Sequence, residues 1–154
     1  MYDDVLVPTD GSEGVREAIL EGVDLAELCD AAVHALYVVD ERSTPDLPDV
    51  EWQSVRSSLE NEGEESVATV TGEAKRRGLD ATSDVRHGDP AETILTYADE
   101  QDVDAIVMGT HGRSGVSRYL LGSVTERVVR QATIPVVVVR IGEEGEGDEH
   151  AGGE

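Results

Sequence analysis

A chain of 154 residues is long enough to bury one ordinary core, and its 34 Asp and Glu against 12 Lys and Arg leave a formal net charge of -22. That balance argues against nucleic acid as a partner, because nucleic-acid binding needs a basic footprint. No N-terminal apolar stretch and no run of about 18 apolar residues is present, so neither secretion nor a membrane span is expected and the cytoplasm is the natural compartment.

The elements alternate along the chain. Asp4 to Pro8 reads as a buried strand, and Glu13 to Leu28 as a helix with Val15, Ile19, Val23 and Ala26 on one face. Cys29 has no second cysteine to pair with and is expected to be a buried structural thiol beside Leu25 and Leu28. Ala32 to Val39 is a second strand. Residues 42–50 form a polar, proline-broken connection. A long helix follows from about Glu51 to Arg77, with Val55, Leu59, Val67, Val70 and Ala74 as its stripe and Gly63 and Gly72 weakening it.

Thr82 to Arg86 reads as a third strand. Asp89 suits an N-cap, Pro90 a first helical position, and Ala91 to Glu100 the helix itself. Ala105 to Met108 is a fourth strand, Val116 to Leu121 a short helix, Val124 to Ala132 a longer one, and Pro135 to Arg140 a fifth strand. From Gly142 to Glu154 the chain is a Gly- and Glu-rich tail with no core to offer, so residues 1–141 are expected to form the one domain. Strands alternating with helices imply a parallel sheet covered on both faces.

Lys75 is the only lysine, and phenylalanine is absent. Valine-rich strands and regular helical patterns argue against disorder for residues 1–141. The composition instead suits a folded halophilic protein in molar salt, where self-repulsion is screened over about 3 Å at 1 M.

The most informative stretch is Gly109-Thr110-His111-Gly112, nine further residues, then Gly122-Ser123-Val124-Thr125. It places a glycine loop between a strand and a helix start, whose free N–H groups attract anions. Residues 111–130 hold Arg113, Arg118, Arg127 and Arg130 against a single acid, Glu126. Ser123-Val124-Thr125-Glu126 alone is a capping box. Strand, glycines and arginines together point to phosphate.

The spacing resembles the nucleotide-binding branch of the universal stress protein family, whose pattern is G-x2-G-x9-G-[ST]; Gly109, Gly112, Gly122 and Ser123 match it without a gap. Val5-Leu6-Val7-Pro8-Thr9-Asp10-Gly11-Ser12 also resembles that family's first strand and turn. The resemblance covers residues 1–141. It implies an α/β fold, a single-domain three-layer sandwich like the adenine nucleotide alpha hydrolases, with a five-stranded parallel sheet of order 3-2-1-4-5. In such an order the first and fourth strands flank the switch point, where ligands bind.

ATP, with Mg or Mn, is the implied ligand. Backbone groups of Gly109 through Arg113 and of Ser123, Val124 and Thr125 are expected to cradle its phosphates, with Met108 just before them and Gly122 opening the helix. Arg113 is the best side-chain partner for a terminal phosphate. By resemblance, Val38 presents backbone groups to adenine, and Pro8, Thr9 and Asp10 line the same cleft. Asp10 either contacts the ribose or a hydrated cation, or caps the first helix through Asp10-x-x-Glu13. Ser123 either caps its helix or bonds a phosphate oxygen. His111 is read as ordering its loop, and His87 is given no role. On this reading Gly109→Val or Gly122→Val should abolish binding while leaving the fold intact.

Other phosphate machinery is missing from the sequence. It has no GxxxxGK[ST], no G-x-G-x-x-G and no obvious pair of general base and nucleophile. A receiver domain would share the layers, but no lysine follows the fifth strand. The expected activity is therefore ATP-dependent regulation of a protein partner in a stress response; a slow ATP hydrolase or phosphotransferase is the alternative. The edge strand, with Val136, Val137, Val138 and Val139, is expected to pair with its copy in a homodimer, which closes an otherwise open apolar edge.

Overall fold

The computed structural model describes residues 1–41, 49–111 and 121–141. Its elements are β1 (Asp4–Pro8), α1 (Val15–Cys29), β2 (Ala32–Asp40), α2 (Asp49–Arg76), β3 (Ala81–Gly88), α3 (Pro90–Glu100), β4 (Ala105–Gly109), α4 (Ser123–Gln131) and β5 (Val136–Val139). The strands form one sheet in the order β3-β2-β1-β4-β5. All four pairings are parallel, with Val5 beside Val33 on one side and beside Ala105 on the other.

Alternation along the strands divides the core into two layers. Val5, Val7, Val33, Ala35, Tyr37, Val39 and Val107 face α1 and α2, meeting Val15, Ile19, Val23, Ala26, Val67, Val70 and Ala74. Leu6, Leu36, Ile106 and Met108 face α3 and α4, meeting Ile94, Tyr97, Ala98 and Val128. The central strands bury residues on both faces, which is why they read as unbroken apolar runs.

Several expectations are corrected. The helix α1 begins at Val15 rather than Glu13, because Gly14 is its N-cap. Cys29 is only half-buried and Leu28 is 82% exposed, since both lie in the final turn where the helix leaves the sheet. Gly63 does not merely weaken α2: a Cβ there would stand 2.7 Å from the Tyr37 ring, so glycine lets the helix seat on that aromatic. The edge strand β3 runs on to Gly88, paired with Asp40. The Asp89 cap is as expected, its carboxylate accepting from Glu92 N at 2.9 Å. Residues 42–48, the proposed tail 142–154 and the short helix at Val116 to Leu121 lie outside the described residues, except Leu121, which is not helical.

One buried polar chain ties β1, β2 and α3 together. His34 Nε2 lies 2.9 Å from Asp4 Oδ1, and its Nδ1 lies 2.8 Å from the Tyr97 hydroxyl. The Asp4 amide in turn donates to Asp104 Oδ2 at 3.0 Å. Burial pushes the Tyr97 phenol above its ordinary value; Asp84 acts the same way and the Thr82 hydroxyl opposes them. The folded protein thus holds this proton more tightly than the unfolded chain. The associated stability is complete below the ordinary phenol value of about 10 and is lost as pH rises through the higher folded value. Tyr97→Phe should remove that alkaline loss. At neutral pH it should cost about 1–3 kcal/mol, because the buried His34 nitrogen loses its close partner and keeps only the Thr82 hydroxyl at 3.5 Å. Urea midpoints from neutral to strongly alkaline pH test this; parallel curves for both proteins would refute it.

Candidate functional site

The strand order reverses between β1 and β4, the place where open parallel sheets bind ligands beyond the carboxyl ends of their strands. After β1, Thr9 N donates to Leu36 O at 2.9 Å, and the chain then turns through Gly11, whose φ is 80°. Thr9 Oγ1 accepts from Gly11 N at 3.2 Å, and Asp10 Oδ1 accepts from Ser12 N at 3.0 Å. Asp10 therefore shapes its own turn and does not cap α1, whose N-cap is Gly14.

After β4, two hydrogen bonds fasten the base of the loop to the start of α4. Gly122 N donates to Thr110 O at 2.7 Å, and the buried Thr125 hydroxyl donates to Gly109 O at 2.8 Å. A Cβ on Gly122 would stand 3.1 Å from His111 Cα, so this glycine allows the two ends of the loop to meet. Thr110 Oγ1 accepts from Ile141 N at 3.2 Å and lies 3.3 Å from His111 Nδ1.

The N-cap of α4 is Gly122, with φ -64° and ψ 157°, so Ser123 occupies the first helical position and forms no capping box. The first helical bond is Glu126 N to Gly122 O, at 2.9 Å. The amides of Ser123, Val124 and Thr125 precede it and open outward from the helix end, as an anion site requires. Ser123 itself is exposed.

Side chains expected at the site divide sharply. Val38, Met108 and Val124 pack into the layer facing α3 and α4, so only their backbone groups can serve a ligand. Pro8 and Thr9 are buried, and the Thr125 hydroxyl is committed to Gly109. Arg127 does not reach for the crevice: its Nη1 donates to Asp89 Oδ2 at 2.7 Å, while Arg130 pairs with Glu126 one turn back. Much of the local basic enrichment is thus internal pairing. Gly112, Arg113 and Arg118 lie outside the described residues.

Gly109 carries a second surprise. A Cβ on it would overlap Ile141 Cδ1, and one on Gly14 would stand 2.5 Å from Ile141 Cγ2. Ile141, only 5% exposed, fills the space that both glycines vacate. The sequence hint was an isolated isoleucine between β5 and a polar tail. Among the described residues no group of His, Cys, Asp and Glu is arranged to hold a metal, and no helix is long and apolar enough to cross a membrane.

Residues 1–140 match the model of the universal stress protein family. The chain is 38% identical over 141 residues to the universal stress protein MJ0531 of Methanocaldococcus jannaschii, covering 91% of this chain and 83% of that one. Its fold superposes on the solved structure of protein MJ0577 from the same organism with a TM-score of 0.81 and 32% identity, covering 94% and 99% of the two chains. A universal stress protein from Archaeoglobus fulgidus, solved in complex with dAMP, shares the fold with a TM-score of 0.66 at 20% identity, covering 90% and 98%. Sheet order and sequence agree, and the chain belongs to the universal stress protein family.

Proposed function

We propose that the crevice binds an adenine nucleotide, ATP with Mg or Mn, and that the bound state governs association with a protein partner. The observation that carries this reading is the open end of α4, where the Ser123, Val124 and Thr125 amides precede the first helical bond. Support also comes from the Archaeoglobus relative that holds dAMP.

Ser123 offers an unusually clean test. Proline is favoured at a first helical position, and the extended Gly122 before it suits a following proline. Ser123→Pro therefore removes one amide donor and the hydroxyl while keeping α4. Ser123→Ala removes only the hydroxyl. A hydrogen bond to a charged group contributes about 1.5–3 kcal/mol, so Ser123→Pro should weaken ATP binding at least roughly tenfold and more than Ser123→Ala. Calorimetric titration measures both. Unchanged affinity in Ser123→Pro would remove the site, and metal-dependent turnover well above background would move the reading to a hydrolase.

The proposed homodimer uses the β5 edge. Val137 is 40% exposed there, whereas Val139 packs against the α1 layer. A lysine at 139 would put a charge against the core, so Val137→Lys is the clean probe. It should convert dimers to monomers by light scattering in molar salt. A wild-type protein that is already monomeric would end the proposal.

A further inference from the structure

The long helix α2 is anchored unevenly. Its 28 residues span about 42 Å, while the nine residues of β2 beneath it span about 30 Å. From Glu51 through Glu62 no residue is fully buried, and Gly63 on Tyr37 is the first that is. The leading arm of the helix, residues 51–62, therefore meets the core through the partly buried Leu59 and no fully buried side chain.

Beside that contact stands a ring of charge around His87. Glu60 Oε2 lies 2.9 Å from His87 Nε2, and Glu41 Oε2 lies 3.4 Å from His87 Nδ1. Arg56 closes the ring, with Nη2 3.5 Å from Glu41 Oε2 and Nε 3.7 Å from Glu60 Oε2. Among the described residues, these are the ionisable groups facing the imidazole from α2 and from the end of β2. On β3 itself, Asp84 and Arg86 alternate to the opposite face, where Arg86 lies over the Tyr97 ring.

The ring is incomplete while His87 is neutral. A neutral imidazole donates from one nitrogen only. When the single proton sits on Nε2, which faces Glu60 at 2.9 Å, Nδ1 presents a lone pair toward a second carboxylate. Among the described residues that buried nitrogen has no hydrogen-bond partner, its 3.4 Å approach to Glu41 being near enough for an ion pair but not aligned as a hydrogen bond. A buried polar atom left in this state needs a reason. Protonation supplies one: both nitrogens become donors, each faces a carboxylate, and two acids are balanced by Arg56 and His87.

We propose that protonation of His87 latches the leading arm of α2 to the carboxyl ends of β2 and β3, and that deprotonation loosens it. Histidine is the side chain whose ordinary charge change falls between about pH 5 and 8. The arm is held at the acidic end and freed at the alkaline end. This inference is independent of the nucleotide proposal.

Amide hydrogen exchange on the full-length protein at pH 6 and pH 8, at one fixed KCl concentration and corrected for intrinsic exchange, tests it. Peptides covering 51–62 should be about three- to tenfold better protected at pH 6, the range set by one or two partly exposed ion pairs. Peptides from β4 should not change. His87→Gln keeps a donor for Glu60 but cannot gain charge, so its protection should be flat with pH. Glu41→Gln keeps the Glu60 pair and should lose part of the dependence, which guards against a His87 variant that folds poorly. Equal wild-type protection at both pH values, or an undiminished dependence in His87→Gln, would overturn the proposal.

Discussion

Ile141→Ala should lower the unfolding free energy by about 2–5 kcal/mol, a large effect for a residue outside every helix and strand. Its side chain is nearly fully buried and fills the gaps left by Gly14 and Gly109. In a domain of this size each kcal/mol appears as about 2–4 °C of melting temperature. Gly109→Ala should cost about 1–3 kcal/mol by overfilling the same space. The double variant should then be more stable than the two losses added together, because the new methyl occupies the vacated volume. Thermal melts of the three variants decide the matter; strict additivity would show that the gap is not reserved for Ile141. Gly109→Val, which the sequence recommends as a block on phosphate that spares the fold, acts on packing first and cannot test the ligand alone.

Melting temperature should climb steeply as KCl rises from near zero toward molar concentration. Pairing every one of the 12 cations with one acid still leaves a charge of -22. Some of the described cations serve several acids each: Arg77 contacts Asp24, Glu27 and Glu73, and Arg86 contacts Asp84 and Glu100. Such sharing concentrates attraction at a few points and leaves the remaining carboxylates repelling one another across the surface. Screening shortens that repulsion from about 10 Å at 0.1 M salt to about 3 Å at 1 M. Nucleotide affinity should improve over the first part of the same titration, since the acidic surface repels a polyanion. A melting temperature independent of salt would rule out adaptation to high salt.

Local pattern carries most of the fold. Strands β1 and β4 are legible because both faces are buried, and α3 because Asp89 and Pro90 mark its start. The caps of α1 and α4 are not legible in the same way. Asp10 and Ser123 both sit in capping-box spacing, yet a glycine takes the cap in each case. The Asp10 carboxylate is drawn to Ser12 N by the turn at Gly11, and the helix beginning at Ser123 is set by the bond from Gly122 to Thr110. Those are decisions of tertiary geometry. Arg127 was legible as a cation but not as a partner of Asp89, 38 residues away in sequence. Gly63 and Gly109 looked like local weakness and ligand clearance; their shapes answer to Tyr37 and Ile141, which no window of neighbouring residues contains.

The two bonds at the base of the β4–α4 connection have a consequence for chain length. With Thr110 O bound to Gly122 N and Gly109 O to the Thr125 hydroxyl, the ends of the connection are held together whatever lies between them. Doubling the length of such a closed segment costs only about 0.6 kcal/mol of entropy. The scaffold is therefore nearly indifferent to how many residues it spans there. The count between His111 and Gly122 is therefore not dictated by closure of the connection, and insertions at that point should cost the fold little.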